Sequence, residues 1–227
     1  MSDPPVDVAV RTVRVTARSG RVKIVARAIA EVEVIGDRAT VQRDGSRTTV
    51  DTGANRVEVR IPEGTDVVVG TTAGRVEIEG VVGDAAVVTE SGRVWLADAA
   101  NVDVRTTSGR VEVGRSRGHA RIRSKSGRVT VDAAGTADVA TRSGRVELRS
   151  VTGSTSAHCV SGRVEITLAA AADVEAETVS GRITIRVPRS VIPDLVEGAR
   201  PDGPRAAGCD CTIVTRSVSG RVQVETR

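Results

Sequence analysis

The sequence predicts an all-β solenoid in which each coil takes about one and a half dozen residues. Three observations carry this. A Ser-Gly-Arg tripeptide or close copy recurs nine times, its glycines at Gly20, Gly74, Gly92, Gly109, Gly127, Gly144, Gly162, Gly181 and Gly220. Between Gly74 and Gly181 successive steps are 18, 17, 18, 17, 18 and 19 residues, too short for a helical pair or a propeller blade. The chain also holds one Trp, no Phe and no Tyr, so its interior must be built from small and β-branched side chains, which suit strands and a thin core.

Counted from each motif glycine, two alternating segments appear in every copy. The second and fourth residues after it are apolar, as in Val76 and Ile78, Val111 and Val113, or Val164 and Ile166. Seven, five and three residues before it stands another inward set, such as Ala85, Val87, Thr89 or Ala120, Ile122, Ser124. Period-two alternation means two short strands per coil, each with one buried face. The glycine sits at the corner between them, where the chain turns in little space. A looser turn closes the other end, as at Val82-Gly83-Asp84. Stacked coils would align the Thr or Ser three residues before the glycine into an internal hydroxyl ladder bonding along the stack.

The whole chain reads as one domain. Residues 1–62 form an N-terminal coil and an antiparallel hairpin cap, in which Asp44-Gly45 gives the hairpin signal and residues 30 to 62 make an irregular antiparallel start. Residues 63–187 are the regular solenoid. Residues 188–208, with Pro188, Pro193, Pro201 and Pro204, are a loop inserted between two strands, and 209–227 complete a terminal coil. Its last strand, Arg221 to Thr226, leaves an edge open to another chain.

The repeated Ser-Gly-Arg-Val-Glu-Val pattern, with a Val/Ala/Thr strand ahead of each copy, resembles the bacterial toast-rack family of β-strand repeats, a group that carries an adhesin label. The likeness is strongest from Ile61-Pro62 to Val187. It implies a single-stranded right-handed β-helix, a link to envelope stress or to membrane-attached proteins, and no catalytic residues. The uniform Arg after the glycine departs from the Asp or Asn common in that family.

Formal charge is +4, from 33 basic and 29 acidic residues, a mild excess that does not point to specific nucleic-acid binding. Three cysteines make no disulfide framework. No apolar run approaches a membrane span, and Met1-Ser2-Asp3-Pro4-Pro5 does not open a secretory signal, so the expected location is the cytoplasm. Cys209-Asp210-Cys211 and His158-Cys159 lack zinc-ligand spacing, and His119 and His158 stand apart from any triad pattern, so no metal, cofactor or catalytic group is expected.

The candidate site is a basic concentration. Residues 105 to 128 carry eight cations, Arg105, Arg110, Arg115, Arg117, Arg121, Arg123, Lys125 and Arg128, against Glu112 alone. Arg121, Arg123 and Lys125 occupy outward positions of one strand, and stacking sets Arg105 and Arg142 beside them. Such a patch docks phosphate, an anionic polymer or an acidic protein, or is simply a solvated face. The Arg column following the glycines is balanced by Glu77, Glu112, Glu147 and Glu165 two residues on, which reads as an ion ladder. Trp95 points outward between Glu77 and Glu112, either stacked on Arg93 or Arg110 or anchoring a partner. The functional expectation is a non-enzymatic scaffold or interaction module for another protein or an acidic polymer. The alternatives are a self-assembling solenoid pairing through its C-terminal edge and a polysaccharide-acting β-helix enzyme, which would want an acidic pair and aromatic platforms.

Overall fold

The computed structural model describes residues 11–36, 38–53, 56–198 and 208–226. The regular elements among them are all strands of one 16-stranded sheet wound into a stack of coils. The first coil is β1 (Thr12–Ala17) and β2 (Arg21–Arg27), followed by β3 (Glu33–Ile35), β4 (Thr40–Asp44), β5 (Arg47–Thr52) and β6 (Val57–Pro62). Next come β7 (Asp66–Thr71) with β8 (Arg75–Val82), β9 (Ala85–Thr89) with β10 (Arg93–Ala99), and β11 (Val102–Thr106). From β12 (Arg110–Val151) onward, strand structure runs through the glycine corners without a break, as it does in β13 (Thr155–Leu168) and β14 (Val174–Val187). The chain ends with β15 (Pro193–Glu197) and β16 (Cys211–Thr226).

Like residues stack on like. Gly144 pairs with Gly162 and Val146 with Val164, and Gly162 with Gly181 and Ile166 with Ile185. Every pairing between coils is parallel, which one crossover per turn requires. The inward positions read from the alternation are buried: Val76, Ile78, Val104, Ile122, Val139, Leu148, Ile166 and Ala176 belong to one continuous apolar core. Because each coil is thin, a single Val, Ile or Leu from each strand spans the interior, and aromatic rings have no room there.

The corner glycines are needed twice over. From Gly74 to Gly162 the motif glycines take φ between 121 and 132°, a region closed to side-chain-bearing residues. Each also sits so close to the glycine of the coil beneath that a Cβ on Gly109 would overlap the Gly92 carbonyl oxygen.

The hydroxyl ladder expected along the stack is replaced by two different arrangements. Hydroxyls three residues before the glycine bond within their own coil: Thr89 Oγ1 donates to the Ser91 carbonyl at 3.0 Å, and Thr106 to Ser108 and Thr141 to Ser143 at 2.9 and 3.0 Å, while the Thr178 hydroxyl is buried without a partner among the described residues. These bonded hydroxyls cap their own turns, as turn hydroxyls do. Bonding between coils runs instead along the opposite, loose turn. There Asp66 Oδ1 accepts from the Asp84 amide at 2.8 Å, and Asn101 Nδ2 donates to Asp84 Oδ1 at 2.9 Å. Asn101 Oδ1 then accepts from the His119 amide at 2.9 Å, and His119 Nδ1 meets Thr136 Oγ1 at 2.8 Å.

Both ends are threaded out of sequence order. β1 lies between β5 and β7, and β2 between β6 and β8, so the coil built by β5 and β6 stacks outside the first one before the chain returns. The irregular antiparallel start expected over residues 30 to 62 is therefore confined to β3 and β4, which pair antiparallel with β6 and β5. Residues 47 to 62 lack the Ser-Gly-Arg motif yet form a parallel coil, because Val50, Val57, Val59 and Ile61 still supply its buried face. At the far end β16 is inserted between β14 and β15, so the segment after Pro188 contains a strand and is not all loop. β15 pairs with Cys211 to Thr215 only. Beyond them the outer edge of β16 has no partner strand among the described residues, and Val222 and Val224 are half-buried where Ile183 and Ile185 one coil back are fully buried. Residues 1–10, 199–207 and 227, which include Met1 to Pro5 and the prolines at 201 and 204, lie outside the described residues.

Candidate binding groove

Just ahead of the glycine corner, two outward columns flank the inward hydroxyl column. The strand begins to bend there, so the columns stand as walls around a groove of about 1280 Å³ that runs along the stack. Thr89, Thr106, Ser124, Thr141, Cys159 and Thr178 form its floor. Burial pushes the Cys159 thiol above its ordinary range, against a smaller lowering effect of the Ser161 backbone; the thiol donates to the Ser161 carbonyl at 3.1 Å.

Four of the six residues singled out from the sequence meet in this groove: Arg105, Arg123, Lys125 and Arg142. Arg105 pairs with Arg123 across neighbouring strands. Arg121 lies outside the groove, one alternation further along the strand, and ion-pairs with Asp138 at 3.3 Å. Trp95 lies on the other strand of its coil, in register with Glu77 and Glu112 and about one third exposed.

The basic segment is less one-sided than its composition implies, because acids from outside it fold back against it. Arg105 pairs with Asp103 at 3.2 Å and Arg117 with Asp98 at 3.1 Å, besides Arg121 with Asp138 and Arg110 with Glu112 at 3.6 Å. Within the groove itself, Arg123, Lys125 and Arg142 are exposed and have no ion pair among the described residues. They are the charged centre of the groove.

Towards the C-terminal end the walls change character. On one side Val160, Val179 and Val218 follow Lys125 and Arg142 in the same column, 48, 49 and 83% exposed. On the other, His158, Glu177 and Arg216 interlock. His158 Nδ1 meets Glu177 Oε2 at 2.9 Å, Arg216 bonds the other Glu177 oxygen, and Arg216 Nε donates to the Gly198 carbonyl at 2.9 Å. The three valines escaped the sequence reading, although their signal was present: the residue before Ser-Gly turns from Lys or Arg to Val in the last three copies.

His158 is also not isolated, contrary to expectation, because its acidic partner comes from the next coil. Ser156 Oγ lies 3.0 Å from His158 Nε2, which with Glu177 gives the spacing of a nucleophile, base and acid. Two features argue against acyl transfer. The neighbouring strands are in continuous parallel register, so their amides serve the sheet and do not converge on an oxyanion. Glu177 is shared with Arg216, which draws its charge away from the imidazole.

The arginines after the glycines form the expected ion ladder only in part. Arg75 reaches Glu77 at 3.3 Å and Arg110 reaches Glu112. In later coils Thr130 and Thr184 replace the acid and Glu147 turns to Arg149 at 3.2 Å. Arg128, Arg145, Arg163 and Arg182 consequently line a shallow second hollow of about 600 Å³, in which only Arg163 has an ion pair among the described residues, to Glu165 at 3.9 Å.

Sequence comparison matches residues 43–195 to the family described as Toastrack DUF4097. No curated protein matches the chain. Among solved structures, a protein of Bacteroides fragilis provisionally named an adhesin is 11% identical, covering 94% of this chain and 91% of its own at a TM-score of 0.40. A Parabacteroides distasonis protein of the same description is 12% identical over 96% and 92%, at 0.35. One from Clostridium sporogenes, provisionally named a cell adhesion protein, is 7% identical over 97% and 95%, at 0.25.

Proposed function

The chain belongs to the Toastrack DUF4097 family, and from that membership we propose that it works as a non-enzymatic β-solenoid interaction module whose binding face is the groove before the glycine corners. The observation that carries this reading is the trio Arg123, Lys125 and Arg142, exposed together in a concave site and without an ion pair among the described residues, while Arg105 and Arg121 beside them are paired. Unpaired guanidinium and ammonium groups in a groove raise the local concentration of anionic ligands and speed their association. The partner is thus an acidic protein or polymer. Poly-glutamate is expected to bind at low salt and to dissociate as salt rises. Arg123→Glu should weaken that binding about tenfold or more, a change of roughly 1.4 kcal/mol. Unchanged affinity in the variant would remove the groove from consideration.

The three cysteines are free thiols, which supports a reducing compartment such as the cytoplasm for the module. A right-handed winding, the sense that parallel crossovers overwhelmingly adopt, goes with the same reading.

A second reading is self-assembly through the C-terminal edge, supported by the incompletely covered valines of β16. Light scattering should then show a mass that grows with concentration between micromolar and millimolar protein. A monomer mass across that range discards the edge contact.

A further inference from the structure

The groove is not uniform along its length, and its two zones together describe a ligand. In one column the outward residues read Lys125, Arg142, Val160, Val179, Val218, two cations and then three exposed aliphatics on successive coils. Strands stack about 4.8 Å apart, so the four steps from Lys125 to Val218 span roughly 19 Å, the length of about six residues of extended chain. A simple polyanion is poorly matched to this surface, because its second half would lay charges on valines that offer nothing in return for the water lost. An acyl chain is poorly matched too. The wall facing the valines is made of His158, Glu177 and Arg216, whose remaining donors and lone pairs a hydrocarbon would strip of water without replacing it. A polypeptide satisfies both walls, setting aliphatic side chains on the valine column while its backbone N–H and C=O groups bond the polar wall.

We propose that this groove takes an extended polypeptide segment about six residues long, acidic where it crosses Arg123, Lys125 and Arg142 and aliphatic where it lies along Val160, Val179 and Val218. The inference rests on the reading of the groove as a binding face and adds the class and arrangement of the ligand. Charge fixes where the acidic end sits, and the valine stripe supplies apolar area that such a segment can bury.

Fluorescence anisotropy on the full chain tests it with four labelled hexapeptides: Glu-Asp-Glu-Val-Leu-Val, its reverse, the alternating Glu-Val-Asp-Leu-Glu-Val, and hexa-glutamate. One of the two block-ordered peptides is expected to bind at least about tenfold tighter than the alternating peptide and hexa-glutamate. Arg142→Glu and Val179→Asp should each weaken it about tenfold or more, with Val160→Ser as a milder second change on the same stripe. All three positions are exposed, and an unchanged melting temperature verifies that the fold persists. Equal binding of all four peptides, with the valine variants silent and only Arg142→Glu effective, overturns the peptide inference and leaves an anion-binding groove. Failure of every peptide and of poly-glutamate overturns both readings.

Discussion

Gly127→Ala is expected to destabilise the protein by about 3–5 kcal/mol, read as a lowered urea midpoint at unchanged slope. Gly127 has φ of 131°, and a Cβ there would overlap the Gly109 carbonyl oxygen of the coil beneath. A strained backbone alone costs on the order of 1–3 kcal/mol. Here the clash is with main chain, which cannot rotate away, and relieving it would pry two coils apart and break their shared hydrogen bonds. Gly45→Ala is the control. Gly45 also has positive φ, 53°, but a Cβ there meets nothing within 4 Å, so its cost should stay near ~1 kcal/mol. Equal losses at the two sites would mean that the close stacking of the corners does not matter.

Leu148→Ala should cost about 2–5 kcal/mol, since Leu148 is 1% exposed and packs between coils on either side. In so thin an interior no larger side chain stands by to collapse into the space. Val224→Ala, the same strand position except for its place in the last coil, should cost no more than about 1 kcal/mol, because Val224 is half-buried at an end that only β15 partly covers. Coils contact only their neighbours, so stability is set locally along the stack. Similar losses at both positions would show that the last coil is covered as fully as the middle ones.

Much of the architecture was legible in the residues. Glycine spacing gave the coils, and alternation sorted inward from outward at position after position, including the buried hydroxyl column. Both signals are local, because a strand's faces alternate by backbone geometry whatever lies beside it. The coil of residues 47 to 62 was misread as antiparallel because it lacks the glycine motif, while its alternation around Val57 and Val59 was present all along. Of the candidate site, the cluster Arg105, Arg123, Lys125 and Arg142 was found because stacking like on like is a matter of counting. Arg121 was grouped with it because the acid that neutralises it, Asp138, belongs to the next coil.

By itself, then, the sequence determined the all-β class, which side of each strand is dry, and where a chain without side chains at the corner had to be. The tertiary structure alone decided which hydroxyl bonds which carbonyl, which cations keep a partner, that His158 meets Glu177, and that coils at both ends are inserted out of order. The physical reason is range. Side-chain direction follows from the backbone of a few adjacent residues, whereas a hydrogen bond or ion pair between coils depends on angstrom-scale distances between groups brought together only when the whole stack is wound.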